Sequence, residues 1–290
     1  MFHGSFVALI TPFKNDRIDE ETLRKLIDFH LINKTSGIIS CATTGESPTI
    51  EPEEWKRILE IIVNKTKGKM KVIAYTGTNN TKKTVEKTKE AKSIGADACL
   101  IVTPYYNKPT QEGLYQHFKT IAKTVNIPIL IYNVPSRTGV SIEPKTIARL
   151  AEMKNIVGIK EASGNLDQVT QIAQLCGEKF SVLSGDDSLT LPMLSVGAKG
   201  VISVVANIAP KETAEMIEFF ENGNLEKAKE IHHRLFPLVK ALFLETNPIP
   251  VKAACELMRL CSGELRLPLV KMSEKNLEIL KTEMEKFGLI

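Results

Sequence analysis

Cysteine is scarce in this chain, with five residues in 290, at positions 41, 99, 176, 255 and 261. The number is odd, the spacing is wide and no CxxC pair occurs. A disulfide scaffold and a cysteine-ligated zinc site are therefore excluded, and a reducing cytosol is the expected compartment. Histidine is equally scarce: His3, His30, His117, His232 and His233. None stands where a strand is expected to end, and the adjacent pair on a helical stretch faces apart, so no set converges to hold a catalytic metal. No apolar run reaches the roughly 18 residues that a membrane span needs. No Gly-rich phosphate loop appears, so neither a nucleotide nor a pyridoxal cofactor is expected. A dominant charge is missing too. Lys and Arg number 38 against 34 Asp and Glu, a net charge of +4 spread through mixed runs. Nothing in that balance favours nucleic acid or a membrane surface as partner.

What remains is ordinary globular material, 43% apolar and 25% charged. Its length suits one barrel domain of roughly 250 residues with a modest extension. The apolar stretch from Ser5 to Thr11 has no basic segment before it and meets Pro12 and Lys14 at once. It reads as a first strand, not as a signal peptide.

Short apolar runs then alternate with helical patterns. The runs are Phe6–Ile10, Gly37–Cys41, Lys71–Tyr75, Cys99–Thr103, Ile129–Tyr132, Val157–Lys160, Ser181–Ser184 and Gly200–Val205. They are rich in Val and Ile and nearly continuous in hydrophobicity, as strands of a parallel sheet covered on both faces must be. Helices are expected near 19–34, 51–66, 80–95, 110–125, 142–153, 165–176 and 187–197. Asp19 and Thr110 suit helix starts and Pro144 a first helical position, while Gly95, Gly177 and Gly197 suit helix ends. The strands stop near Pro210, and helices are expected near 211–222, 224–244, 247–262 and 273–287. The pattern predicts an α/β fold, a (β/α)8 TIM barrel with a C-terminal helical extension. Residues 1–210 would carry the strands and most barrel helices, and 211–290 the last barrel helix and the extension, as one structural unit. An open doubly wound sheet is the alternative, but it uses fewer strands and commonly a Gly-rich first turn, which Thr11-Pro12-Phe13-Lys14 is not.

Barrel enzymes build their sites at the C-terminal ends of the strands. Here those ends carry Thr43, Thr44, Tyr105, Tyr106, Tyr132, Arg137, Lys160 and Ser184-Gly185-Asp186-Asp187. Lys160 closes a buried apolar run, where lysine is rare. Burying an ammonium disfavours the charged form and bares the amine lone pair, which can attack a ketone and form an imine. The bland alternative is a lysine that reaches solvent or pairs with Glu161. An imine mechanism needs a proton shuttle. Tyr132, ending the adjacent strand, is the natural candidate, with Thr44 and Tyr106 able to extend a hydroxyl chain. Arg137 offers a planar fork suited to a carboxylate, or to a surface ion pair. Glu46 reads as a residue that caps or orients the Thr43–Thr44 turn.

Taken in order, these segments resemble the dihydrodipicolinate synthase / N-acetylneuraminate lyase family over essentially the whole chain. The likeness runs through Thr43-Thr44-Gly45-Glu46-Ser47, Val102-Thr103-Pro104-Tyr105-Tyr106 and Tyr132-Asn133-Val134-Pro135-Ser136-Arg137-Thr138-Gly139. It continues through Gly158-Ile159-Lys160-Glu161-Ala162, Ser184-Gly185-Asp186-Asp187, Gly200-Val201-Ile202-Ser203-Val204 and Glu245-Thr246-Asn247-Pro248-Ile249-Pro250-Val251-Lys252. The resemblance implies a class I aldolase in which Lys160 forms the Schiff base with pyruvate and Tyr132 gives and takes the proton. Thr44 would bind the pyruvate carboxylate and link Tyr132 to Tyr106, with Thr43 flanking the relay. Gly185 and the Ile202 backbone would line the pyruvate site. Tyr106 would enter the relay of a neighbouring subunit, which implies a homo-oligomer, commonly a tetramer built as a dimer of dimers. No cofactor is implied beyond the covalent imine.

Within the family, Arg137 resembles the residue that grips the carboxylate of aspartate 4-semialdehyde, an arginine that the sugar-acid lyases generally lack. The implied product is 4-hydroxy-tetrahydrodipicolinate, on the route to diaminopimelate and lysine. A related pyruvate aldolase acting on a sugar acid, and a catalytically silent keto-acid-binding barrel, are the alternatives. Two departures stand out. Ala42 replaces the usual Gly before the Thr pair, which is tolerable if its φ is negative. Lys83 and Trp55 stand where lysine-inhibited members often carry Glu and His, so weak or absent inhibition by lysine is expected.

Overall fold

The computed structural model describes residues 2–290. Ten strands form: β1 Gly4–Ala8, β2 Phe13–Lys14, β3 Arg17–Ile18, β4 Gly37–Ser40, β5 Lys71–Tyr75, β6 Ala98–Val102, β7 Ile129–Asn133, β8 Ile156–Glu161, β9 Ser181–Ser184 and β10 Gly200–Ser203. The helices up to the end of the strands are α1 Glu20–Ile32, α2 Pro52–Thr66, α3 Thr81–Ile94, α4 Gln111–Thr124, α5 Pro135–Thr138, α6 Pro144–Ala151, α7 Leu166–Cys176 and α8 Thr190–Ser195. Four follow: α9 Pro210–Glu221, α10 Leu225–Ala241, α11 Ile249–Leu257 and α12 Glu274–Phe287. Eight strands close into a barrel in the order β1-β10-β9-β8-β7-β6-β5-β4, and β2 and β3 pair separately. The (β/α)8 architecture expected from the alternation is the one observed.

The chain forms two compact units. One holds residues up to Gly4 with Val72–Ile202, the other Ser5–Lys71 with Ser203–Ile290. In the first, parallel ladders run from β5 to β10, with Val102 beside Tyr132, Tyr132 beside Lys160 and Lys160 beside Leu183. In the second, β1 lies parallel to β4 with Phe6 beside Gly37. Every residue of β4, β6, β7 and β9 is buried, which is why these strands read as unbroken apolar runs.

Several helix starts follow from local chemistry. The Asp19 carboxylate accepts from Thr22 N at 3.0 Å, and Thr110 Oγ1 accepts from Gly113 N at 3.2 Å. Each satisfies an N–H that the first helical turn would leave orphaned. Glu51 and Glu54 form a capping box before α2, and Pro144 opens α6. Gly95 ends α3 in the left-handed region, where a glycine carries no Cβ penalty.

The structure departs from the sequence expectations at four places. The hairpin β2–β3 was not foreseen; Asn15 and Asp16 turn it with φ of 53° and 58°, the left-handed pair of a tight hairpin. A one-turn helix, α5, follows β7 at once because Pro135 opens it. The stretch expected as one helix over 187–197 divides into a 3-10 turn at Asp187–Leu189 and α8. The helix expected over 247–262 is shorter, since Pro248 precedes its start and Arg259, at φ 58°, ends it. Leu260 N then bonds back to Cys255 O at 2.9 Å, closing the helix end in a Schellman-type turn.

Candidate active site

Strand alternation sets the first half of the site. Neighbours in a parallel ladder point to the same face, so Val102, Tyr132, Lys160 and Leu183 form one row. The next row, Asn133, Glu161 and Ser184, points the other way, toward the helices. There Asn133 Nδ2 donates to both Glu161 oxygens at 3.2 and 3.0 Å. The same carboxylate accepts from Ser163 N at 2.7 Å and from Gln168 Nε2, on α7, at 3.1 Å. Glu161 is thus engaged on the helix side of the sheet, and Lys160 faces the barrel interior without it. The pairing of Lys160 with Glu161, considered from sequence, does not form.

Lys160 is 5% exposed and its Nζ lies 4.4 Å from the centroid of the Tyr132 ring, itself 5% exposed. An amine at that distance from an aromatic face is in electrostatic contact with it. Gly185 explains how the lysine is held. A methyl group there would sit 2.7 Å from Ala162 Cβ and 3.0 Å from Lys160 Cε, so only glycine lets the chain pass. Ile202 is buried in β10 of the same unit.

Tyr75, the last residue of β5, was not singled out from sequence. It is buried, and burial, reinforced by nearby Tyr132 and Tyr105, pushes its phenol well above the ordinary range. Its position at a strand end was the signal available, obscured because Thr76 and Gly77 follow it with no other reactive group. Arg137 stands exposed in the last turn of α5, just past β7. The loop after it is fixed by Asn133, whose Oδ1 accepts from Ile142 N at 3.2 Å. Tyr106 does not join this group in its own chain. It is 91% exposed, with φ of 71°, a left-handed conformation uncommon for a bulky residue.

The second unit carries Thr43 and Thr44 on a 3-10 turn, Thr43–Gly45, directly after β4. Ala42 precedes it with φ of −83°, so the methyl that replaces the family's glycine costs no strain. Thr44 is buried, and its Oγ1 accepts from Asn247 Nδ2 at 3.0 Å. Gly45 is pinned by Thr11 Oγ1, which donates to its carbonyl at 2.8 Å. Glu46, with φ of 58°, is buried beside Lys252, whose Nζ lies 2.6 Å from its Oε1. Its other oxygen accepts from Arg266 N at 3.1 Å. Glu46 therefore orients the turn, as expected, through a buried ion pair with α11 that spacing alone did not reveal. The ammonium of Lys252 also lies 4.2 Å from the Phe13 ring centroid. Burial pushes this lysine below its usual range, more than Glu46 raises it.

A closed parallel barrel with a buried amine against a tyrosine ring at its strand ends is the architecture in which barrel enzymes place their sites. The profile of the Dihydrodipicolinate synthetase family matches residues 1–286. The chain is 54% identical to a 4-hydroxy-tetrahydrodipicolinate synthase of Syntrophus aciditrophicus over 290 residues, covering 100% of both. The crystal structure of a dihydrodipicolinate synthase from Aquifex aeolicus superposes with a TM-score of 0.98 at 53% identity, covering 99% of each chain. A chloride-inhibited dihydrodipicolinate synthase from Acinetobacter baumannii, complexed with pyruvate, gives a TM-score of 0.98 at 42% identity, covering 100% of each. The chain belongs to the dihydrodipicolinate synthetase family.

Proposed function

We propose that the chain condenses pyruvate with L-aspartate 4-semialdehyde to give 4-hydroxy-tetrahydrodipicolinate, through a Schiff base on Lys160. The observation that carries the reading is the buried Lys160 amine facing the barrel interior beside Tyr132, while Glu161 is engaged on the opposite face. The Lys160 amine adds to the C2 carbonyl of pyruvate, and the carbinolamine hydroxyl takes a proton from the Tyr132 relay and leaves as water, giving an iminium. The iminium draws electrons from C3, which loses a proton to Tyr132 and becomes an enamine carbon. That carbon attacks the aldehyde, the new alkoxide takes a proton back, and the second substrate's own amine then closes on the iminium carbon and expels Lys160 as the free amine.

In this reading Thr44 holds the pyruvate carboxylate and passes protons between Tyr132 and Tyr106, with Thr43 flanking it. Gly185 and the Ile202 backbone line the pyruvate site. Arg137 grips the second substrate's carboxylate with its planar fork. The electron sink is the protein's own imine, so the proposal asks for no metal or prosthetic group. The exposed Tyr106 suits a role in a second copy of the chain, and we include a homo-oligomer, a dimer of dimers, in the proposal. A cytoplasmic location is part of the same reading, supported by the sparse cysteines. No helix among the described residues is long and apolar enough to cross a membrane.

The test is pyruvate consumption by purified protein with aspartate semialdehyde, beside N-acetylmannosamine and glyceraldehyde. Selective turnover of aspartate semialdehyde, lost in Arg137→Ala, is expected. Turnover of a sugar aldehyde instead would move the chain to the lyase branch. Borohydride in the presence of pyruvate should leave a mass adduct on Lys160, and its absence would sink the imine altogether.

A further inference from the structure

Threonines in the helices of this chain commonly turn their hydroxyl proton back onto the preceding turn. Thr66 Oγ1 donates to Ile62 O, Thr124 Oγ1 to Thr120 O, Thr170 Oγ1 to Leu166 O and Thr213 Oγ1 to Ala209 O, at 2.7–2.9 Å. Thr44 sits within a helical turn and is buried, yet the partner its Oγ1 takes is a side chain 203 positions away, Asn247, in the segment that leads into α11. The two segments are fastened a second time two residues beyond Thr44, where Glu46 meets Lys252. Asn247 is itself 6% exposed, so water does not compete freely for the bond.

We propose that Asn247 is a positioning residue that sets the direction of the Thr44 hydroxyl. An amide NH2 can only donate, whereas a hydroxyl has one proton to give and two lone pairs to accept with. When Asn247 occupies one lone pair, the Thr44 proton is directed away from the C-terminal segment, and the hydroxyl is left as a donor. A donor of fixed direction suits a carboxylate oxygen or the oxygen of a relay tyrosine. A freely rotating hydroxyl would spend part of its time bonded back to the chain, as the helical threonines do. The C-terminal extension thereby acts on the proposed chemistry without touching substrate, through the polarity of one hydrogen bond. The inference rests on the reading of Thr44 as part of the pyruvate site.

The test is Asn247→Asp, nearly isosteric but able, when ionised, only to accept, so that it draws the Thr44 proton toward itself. Each variant is assayed as turnover with pyruvate and aspartate semialdehyde per borohydride-trappable Lys160, which normalises for any misfolded fraction. Asn247→Asp should lose roughly tenfold in kcat at neutral pH and above, the worth of one misdirected hydrogen bond. The loss relative to the parent should shrink as pH falls toward about 4, where a carboxyl regains its proton and can donate again. In a Thr44→Val background the same substitution should change kcat by less than about twofold, since the hydroxyl it acts on is gone. Asn247→Ala, read in both backgrounds, repeats the comparison should the aspartate disturb folding. Equal losses with and without the Thr44 hydroxyl, or a ratio flat with pH, would make Asn247 a packing residue and overturn the proposal. Full activity of Thr44→Val would instead overturn the placing of Thr44 in the site, and the inference with it. A crippled Thr44→Val beside a fully active Asn247→Asp would overturn only the inference.

Discussion

A single residue decides most about this chain, and it was legible because it breaks a rule. Lysine at the end of a buried apolar strand has few explanations, and the ladder removes one of them by sending Glu161 to the opposite face. Tyr75 and Asn247 were not legible, for different reasons. Tyr75 obeys the ordinary pattern of an aromatic strand end, while Asn247 gains its meaning only from a contact across 203 positions that the fold creates. Gly185 was placed by resemblance, and its physical necessity appears in the packing. Gly185→Ala would force a methyl group onto the Lys160 stem, with 3.0 Å available. A displacement of about 1 Å at a reacting group costs on the order of a hundredfold, and borohydride trapping of pyruvate on Lys160 should slow by about that factor. Lys83, exposed in the first turn of α3, stands where the family resemblance implies a Glu in lysine-inhibited members, and a cation there would repel an effector's ammonium. Assays with added L-lysine should show weak or no inhibition.

At the scale of elements, the barrel strands and most helices followed from hydrophobic period and capping residues, because each is fixed by its own sequence. The hairpin β2–β3 and the short α11 did not. The hairpin has two residues per strand, too few to show alternation, and α11 ends where Arg259 adopts a left-handed φ that no glycine announces. These elements are tied together by charge. Arg266 lies over the Phe13 ring at 4.4 Å and donates to both Glu54 oxygens at 2.6 and 2.7 Å, while Lys252 holds Glu46. The Lys252–Glu46 pair has no measurable access to water on the lysine side and almost none on the other, at 0% and 1%. Removing one partner leaves the other charge buried, so Lys252→Met should cost about 3–5 kcal/mol. Lys252→Met combined with Glu46→Gln should be less damaging than the two single losses summed, because the buried charge goes with its partner. Denaturant unfolding of the four proteins gives the coupling directly. Exposed pairs such as Lys25–Glu21, at 70% and 80%, should show no comparable loss when broken.

For the whole molecule, the histidines matter more to stability than to chemistry. His30 is buried on α1 with Nδ1 3.0 Å from Thr35 Oγ1, and His117 is buried on α4 with Nδ1 2.9 Å from Thr81 Oγ1. Burial pushes their imidazoles down from 6.5, His30 to about 3 and His117 to about 4. In the unfolded chain each returns to its ordinary value near 6.5. Below that value the unfolded state binds protons that the folded state refuses, so unfolding becomes easier as the solution acidifies. The stability is present in full above pH 6.5 and is lost as pH falls through the window between the two values. Carboxylates held low by arginine, such as Glu20 through its bond to Arg57, add their own loss only below their ordinary 4.5. Between pH 6.5 and about 5 the histidines therefore dominate, each costing about 2 kcal/mol over that span. Denaturant midpoints taken at half-unit steps should fall steadily through this range. His117→Gln should be less stable at neutral pH yet decline less steeply, by about 1.4 kcal/mol per pH unit, because one of the groups titrating in this window is gone. A variant with the parent's slope would mean that His117 gains its proton without unfolding, and that the acid sensitivity belongs to the other histidines held low by burial, His30 and His232.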